Sequence, residues 1–286
     1  MSDGKREYKS FYKTAGGGEG ERCKYPTRLD TYGCGCQHDC DYCYAKSLLD
    51  FRNLWDAQNP AVADIEKIRR RVKKLERGSI VRLGGMTDCF MPLERRERVT
   101  YETIKELNKQ GVGYLIVTKS DMVADDDYIG ILDPELAHIQ ISVTTTSDDL
   151  YRQMHYEKAP PPSARVRAIL KLQSKGYDVA LRLSPLIEEY VDFAELNGWG
   201  IEKCQVEFQR INTWIERWFK GVDFSAYELS EGGYKHLPLQ RKIDLLGGIK
   251  IPNISVCEDV DAHYIYWKKY VNPNKEDCCN LRRKYE

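Results

Sequence analysis

The chain has 286 residues, enough for one large domain or two small ones. Its 44 basic and 44 acidic residues cancel, so no global attraction to nucleic acid follows from charge, although a local basic groove is still allowed. No apolar run approaches the length of a membrane span and the first residues lack a signal-peptide core, so ten cysteines point to metal or redox use in a reducing, cytoplasmic setting rather than to a disulfide framework.

Residues 1–22 are polar and Gly-rich and are read as a flexible N-terminal segment; the run Ala15 to Gly20 precedes the first strand, where a phosphate loop would follow one. Arg28 to Tyr32 is strand-like, and Cys43 to about Phe51 is helix-like. Asn59 and Pro60 signal a helix start, with Val62, Ile65, Ile68, Val72 and Leu75 at helical period through Arg77. The basic block Arg69 to Arg71, Lys73 and Lys74 on that helix suits a solvated outer face better than a nucleic-acid contact.

Gly78, Gly111 and Gly176 each end a helical stretch and precede a short apolar strand: 80–83, 114–117 and 179–183. His138 to Val143 and Cys204 to Phe208 are further strands. Helical patterns fill 98–110, 124–132, 147–153 and 163–175. Alternating β and α implies parallel strands with right-handed crossovers. Roughly 180 residues from Arg28 to Arg210 allow about 30 for each of six βα units. A complete eight-unit barrel takes about 250. The expected fold is therefore α/β, a partial (βα)6 TIM-like barrel over 23–210. Residues 211–286 then form a C-terminal extension packed on it, with helices at 212–219, 239–246 and 258–271 and an added edge strand near Pro252.

Cys36, Cys40 and Cys43 are spaced C-x3-C-x2-C within one loop. Four-iron clusters usually take four thiolates, so three leave one iron open. The alternative is a zinc ion on Cys36, His38, Cys40 and Cys43, although zinc sites usually pair two distant ligand couples. The motif resembles that of the radical S-adenosylmethionine (radical SAM) enzymes. That resemblance implies a 4Fe–4S cluster, S-adenosylmethionine chelated at the open iron, and hydrogen abstraction by the 5′-deoxyadenosyl radical. It also implies an external electron donor of flavodoxin or ferredoxin type. Further fragments narrow the likeness: Cys40-Asp-Tyr-Cys-Tyr-Ala45, Thr87 to Glu94, Thr118 to Ser120, Ile141 to Thr145, and Glu157 to Pro160 with Arg165. Together they resemble the spore photoproduct lyase and DNA repair photolyase group, which implies DNA or a nucleotide as substrate, for lesion repair or base modification. A peptide or small metabolite, or a zinc-bearing binding module without chemistry, are the rival readings.

By that resemblance Tyr42 packs on the adenine, Gly84 and Gly85 contact the cofactor's amine, and Lys119 pairs with its carboxylate. Met86 stands where the family usually has an acid. Ser142 and Thr144, two apart on one strand face, bind the cofactor. Tyr44 and Cys89 are the catalytic candidates, Tyr44 as a radical relay and Cys89 as a hydrogen donor shifted from the lyase's position. Cys23, Cys34, Cys204, Cys257, Cys278 and Cys279 have no assigned role; a second cluster or zinc is conceivable, but adjacent Cys278 and Cys279 are expected to point apart.

Overall fold

Gly111 ends the helix Val99–Gln110 at φ 69°, and its N–H reaches back to the carbonyls of Leu107 and Asn108. A left-handed C-cap of this kind suits glycine and turns the chain directly into the next strand. The computed structural model describes residues 8–14, 22–154 and 156–282, so the Gly-rich run Ala15 to Gly20 lies outside the described residues.

The strands in chain order are β1 (Phe11–Lys13), β2 (Thr27–Leu29), β3 (Tyr32–Gly33), β4 (Ala61–Val62), β5 (Ile80–Leu83) and β6 (Gly113–Thr118). They continue with β7 (Ala137–Val143), β8 (Asp178–Leu186), β9 (Lys203–Phe208), β10 (Leu229–Glu231), β11 (Tyr234–His236) and β12 (Asn253–Cys257). One eight-stranded sheet runs β1-β2-β5-β6-β7-β8-β9-β12. From β2 to β12 every pairing is parallel, and β1 adds antiparallel at the margin. The six expected βα strands are thus present as β2, β5, β6, β7, β8 and β9, in a partial barrel. β12 is the added edge strand, with Pro252 just before it, and β1 places a strand inside the stretch read as flexible.

The sheet's two faces differ. Val81, Leu83, Ile139, Ile141, Leu181, Leu183 and Val206 alternate to one side and are buried with Ile68, Ile104, Leu107, Ile169 and Leu172 of the covering helices. Burying each such side chain contributes about 1.5–3 kcal/mol. The other side carries Arg28, Arg82, Gln140, Ser142, Arg182, Gln205 and Glu207, brought into rows by register: Arg28 beside Arg82, Ser142 beside Arg182, Arg182 beside Gln205. Several of these polar groups pair with one another. Arg182 donates to Gln140 (2.8 Å) and also bonds Gln205 and Glu207.

The helix expected from Asn59 starts later. Ala61 and Val62 pair with β3, and Asp64 caps the helix Ile65–Val72, its carboxylate accepting from the N–H groups of Glu66 (2.9 Å) and Lys67 (3.3 Å). The hairpin β10–β11 has no counterpart in the expected elements. Replacing Asp64 by Ala is expected to cost about 1 kcal/mol, as for a typical lost N-cap. Asn59→Ala should stay within about 0.5 kcal/mol, as for an ordinary surface change. Urea unfolding of the two variants measures both, and equal losses would mean that Asp64 is not the cap.

Candidate active site at the mouth of the barrel

The loop between β3 and the helix Tyr44–Leu49 is a series of turns. Cys34 and Asp39 take positive φ, and a Cβ at Gly35 would collide with the carbonyl of Asp56. Asp39 N–H donates to Cys36 O (3.0 Å) and Cys43 N–H to Cys40 O (3.3 Å). Cys43 caps the helix, its Sγ accepting from Lys46 N–H at 3.5 Å. Cys36, Cys40 and Cys43 all line one cleft, partly open to solvent, at the C-terminal ends of the strands. Burial, then Asp88, pushes the Cys36 thiol up to about 12. Burial, then Glu157, raises Cys40 further, against the pull of Lys119.

The sulfurs suit a cluster better than a single ion. Tetrahedral zinc with Zn–S bonds near 2.3 Å holds its sulfurs about 3.8 Å apart. Among the described residues, no three ligand atoms from Cys36, His38, Cys40 and Cys43 lie within 4.8 Å of one another. His38 is turned toward Asp88, with Nε2 3.3 Å from the carboxylate. Three thiols in one loop, set wider than an ion requires, fit the 4Fe–4S group.

The ends of β2 and β5 are locked together by Asp30. Its carboxylate accepts from Gly85 N–H (2.6 Å), Met86 N–H (3.1 Å) and the Tyr12 hydroxyl (2.9 Å). Gly84 lies at φ 83°, where a Cβ would sit 2.8 Å from Val117 O. Gly85 leaves no room beside the Tyr12 hydroxyl. Gly84, Gly85 and Met86 line the cleft. So does Lys119, whose Nζ donates to Ser184 O (3.3 Å) and stands 3.8 Å from Glu157 and 4.9 Å above the Tyr42 ring. Ser142 lines the cleft, whereas Thr144 is behind it, 3.1 Å from the Tyr42 hydroxyl. Tyr42 also bonds Glu157. That carboxylate is held at about 2: burial alone would raise it, but Arg165, Lys119 and Tyr42 together outweigh burial.

The two catalytic candidates separate. Tyr44 faces the cleft and donates to Gly85 O at 2.6 Å, with Arg210 packed 4.8 Å from its ring centre. Cys89 does not face the cleft. It is 1% exposed, packed in the apolar core, with its carbonyl accepting from Thr100. The chain turns at Asp88, whose carboxylate caps Phe90 N–H and binds Lys119 N–H, and this sends Cys89 inward. A hydrogen-donating role for Cys89 is therefore at odds with its position.

Arg82, Arg182, Glu207 and Arg210 also line the cleft and were not singled out from the sequence. The available signal was the polar half of otherwise apolar strands, as in Val81-Arg82-Leu83 and Leu181-Arg182-Leu183. Burial alone would raise the Glu207 carboxyl, but Arg182, then Arg210, Ser184 and Arg82, outweigh it and hold it at about 2, below its ordinary 4.5. A depressed carboxylate adds stability above its unfolded value and loses it as pH falls toward the folded one. Urea melts from pH 5 down to about pH 2 should show a shallower acid loss in Glu207→Gln than in the parent chain. Parallel slopes would show that Glu207 is not held as an ion.

The Radical SAM superfamily profile matches residues 31–196, more than half of the chain. An uncharacterized protein of Methanocaldococcus jannaschii is 25% identical over 170 residues, 57% of this chain and 62% of that one. The uncharacterized protein ORF301 of Acidianus two-tailed virus is 24% identical over 168 residues, 54% of each chain. The chain thus spans less than two thirds of either relative. Among solved structures, spore photoproduct lyase complexed with dinucleoside spore photoproduct superposes with a TM-score of 0.62 at 14% identity, over 81% of this chain and 76% of that one. Native anSMEcpe with bound AdoMet gives 0.51 at 12% identity, over 80% and 63%. These likenesses show the fold. With the profile match over the Cys loop and the strands that carry the cleft, the chain belongs to the radical SAM superfamily, whose cofactors are a 4Fe–4S cluster and S-adenosylmethionine.

Proposed function

We propose that this chain abstracts a hydrogen atom from a nucleobase-type substrate, in lesion repair or base modification, in the manner of the photoproduct-lyase group. The observation that carries the reading is the cleft. It gathers the three loop thiols, the Gly84–Gly85 turn, Lys119 and Ser142 at the strand ends, with four cations on its wall. The fold likeness to a lyase bound to a dinucleoside and the ordered sequence fragments support the substrate class.

When bound, the two cofactors supply reductive sulfonium cleavage and a one-electron oxidant of C–H bonds. Cys36, Cys40 and Cys43 would hold the cluster, and S-adenosylmethionine would bind beside it. Lys119 would meet the carboxylate of S-adenosylmethionine with an ammonium, the charged partner such a group needs in a partly buried site. The backbone of Gly84 and Gly85 would let the amine approach, because no side chain intervenes. Tyr42, kept in place by Glu157 and Thr144, would offer its ring to the adenine. Ser142 supplies a hydroxyl. Tyr44, which faces the cleft, is the candidate radical relay. A flavodoxin- or ferredoxin-type protein supplies the electron.

Anaerobic release of 5′-deoxyadenosine, with damaged DNA, intact DNA, nucleotides and peptides offered in parallel, tests the substrate. Nucleic acid or nucleotide should raise release at least about tenfold, a difference of about 1.4 kcal/mol in the barrier. Stimulation by peptide alone would overturn the nucleobase reading. Cys40→Ala should lose its brown colour, iron and sulfide, and unchanged iron content in that variant would remove the cluster assignment.

A further inference from the structure

Seven of the ten cysteines lie outside the loop triad, and four of them converge. Cys23 precedes β2, and Cys257 ends β12. Cys278 and Cys279 lie in the tail after the helix Asp261–Tyr270. The Cys278 thiol is within hydrogen-bonding reach of both Cys257 and Cys279, so the adjacent pair does not point apart as expected from the sequence. Cys23, Cys278 and Cys279 share one small packed group with Tyr25, Leu115 and Leu281. All four thiols are free.

Their place in the fold is the open side of the barrel. β1 and β2 form one margin of the sheet and β12 the other. The tail runs between them: Gln205 Nε2 donates to Cys278 O (2.7 Å), Asp277 bonds the Tyr25 hydroxyl, and Arg282 N–H donates to Asp178 (2.9 Å). The four sulfurs therefore join both margins to the tail.

Ordinary packing does not account for their surroundings. A buried cysteine that merely fills space behaves as a small apolar group and needs no charge beside it. Here an Arg28 nitrogen is 3.7 Å from Cys23 Sγ, and Arg182 faces Cys257 and Cys279. Arg82 interacts with Cys23 and Cys279, and its buried Nε has no hydrogen-bond partner. Guanidinium groups around converging thiols suit the negative charge of a metal–tetrathiolate centre. Cys278 is close to both Cys257 and Cys279, but among the described residues no three of these sulfurs lie within 4.8 Å of one another, so one tetrahedral ion would need all four drawn together, whereas a cluster spreads its ligands over several irons.

We propose that Cys23, Cys257, Cys278 and Cys279 hold a second iron–sulfur cluster, closed by four protein thiolates, that clasps the open seam of the barrel beneath the cleft. With every ligand supplied by the chain, it has no vacant iron and binds no substrate.

The test uses the full chain carrying Cys36→Ala, Cys40→Ala and Cys43→Ala, purified anaerobically and reconstituted with ferrous iron and sulfide. This variant leaves the seam untouched. It should keep about half of the parent's iron and sulfide, show an electron paramagnetic resonance signal on reduction, and melt at lower temperature after chelation. Adding Cys257→Ser and Cys278→Ser should remove the remaining iron. Should that combined variant fail to fold by circular dichroism, the triad-less chain decides by itself. Iron and sulfide absent from the triad-less chain, or zinc bound in their place, would overturn the proposal, as would parent iron content unchanged by Cys257→Ser and Cys278→Ser. The triad's own assignment is read separately, from the iron lost when the triad alone is removed.

Discussion

The Cys loop has little regular structure of its own, and one buried carboxylate holds it against the barrel. Glu157 bonds Arg165 and the Tyr42 hydroxyl, and lies 3.7 Å from Cys40 Sγ and 3.8 Å from Lys119. Its neighbours complete the clamp: Asp41 N–H donates to Tyr156 O (2.9 Å), Lys158 N–H to His38 O (2.6 Å), and Lys158 Nζ reaches Asp39 (3.0 Å). Arg165 ties the segment to the strand end through Ser142 O (2.9 Å) and to Pro160 O (2.6 Å). Breaking one partner of a fully buried pair typically costs about 3–5 kcal/mol, because a charge is left unpaired. Electrostatics sharpens the point. A lone carboxylate beside Cys40 would oppose the thiolate that iron requires. Lys119 offsets part of that push, while Arg165 holds the carboxylate's charge in a buried pair.

The same need for internal pairing shapes the barrel. A sheet covered by helices on one face and filled with arginine, glutamine and glutamate on the other must satisfy those groups within itself. Arg182 does this by spanning three strands, to Gln140, Gln205 and Glu207. At the foot of the barrel Asp178 plays a similar part, meeting His138 (2.7 Å), Lys203 (2.7 Å) and the tail at Arg282. An incomplete barrel also leaves two sheet margins. β1 covers one, and the tail from Asn272 onward packs against the inside of the other, so the C-terminal segment completes what the six βα units leave open.

Helix–strand alternation was readable because each signal is local. Glycine at the end of a helix and an apolar run after it need no partner to be recognised, and the six parallel strands follow from them. Cys36, Cys40 and Cys43 were readable because their spacing is chemical. The helix start was misplaced because Asn59-Pro60 carries the same local signature as a true cap, while tertiary pairing of Ala61 and Val62 with β3 moved the start to Asp64. The burial of Cys89 away from the cleft was hidden for a related reason. Adjacency to Asp88 in sequence says nothing about which way the chain turns, and the turn after Asp88 carries the thiol into the core. Arg82, Arg182 and Glu207 went unnoticed because a buried strand read for hydrophobicity hides its polar half. The convergence of Cys23 with Cys278 and Cys279 depends on how a tail folds back, which no short window contains.

Zero net charge conceals a division of labour among the charged residues. On the outer helix, Arg69 is committed to Glu66, Glu102 (3.1 Å) and Glu106 (3.4 Å), and Arg70, Arg71, Lys73 and Lys74 face solvent. That face neutralises part of itself and lies across the sheet from the cleft. The cleft does not balance in the same way: Arg82, Lys119, Arg182 and Arg210 line it against Asp88 and Glu207. Each acid is already engaged, Asp88 with His38, Thr118 and the Lys119 N–H, and Glu207 with Arg182 and Ser184. Three of the cations are matched as well, Arg182 by Glu207, Lys119 by Glu157 at 3.8 Å and Arg210 by Asp259, so the charge of the cleft is held in pairs, where water is partly excluded and a given charge acts more strongly than on an open surface. A ligand entering there meets these ion pairs whatever the total charge of the chain, so the electrostatics of the cleft are set locally, by which partner each buried charge keeps.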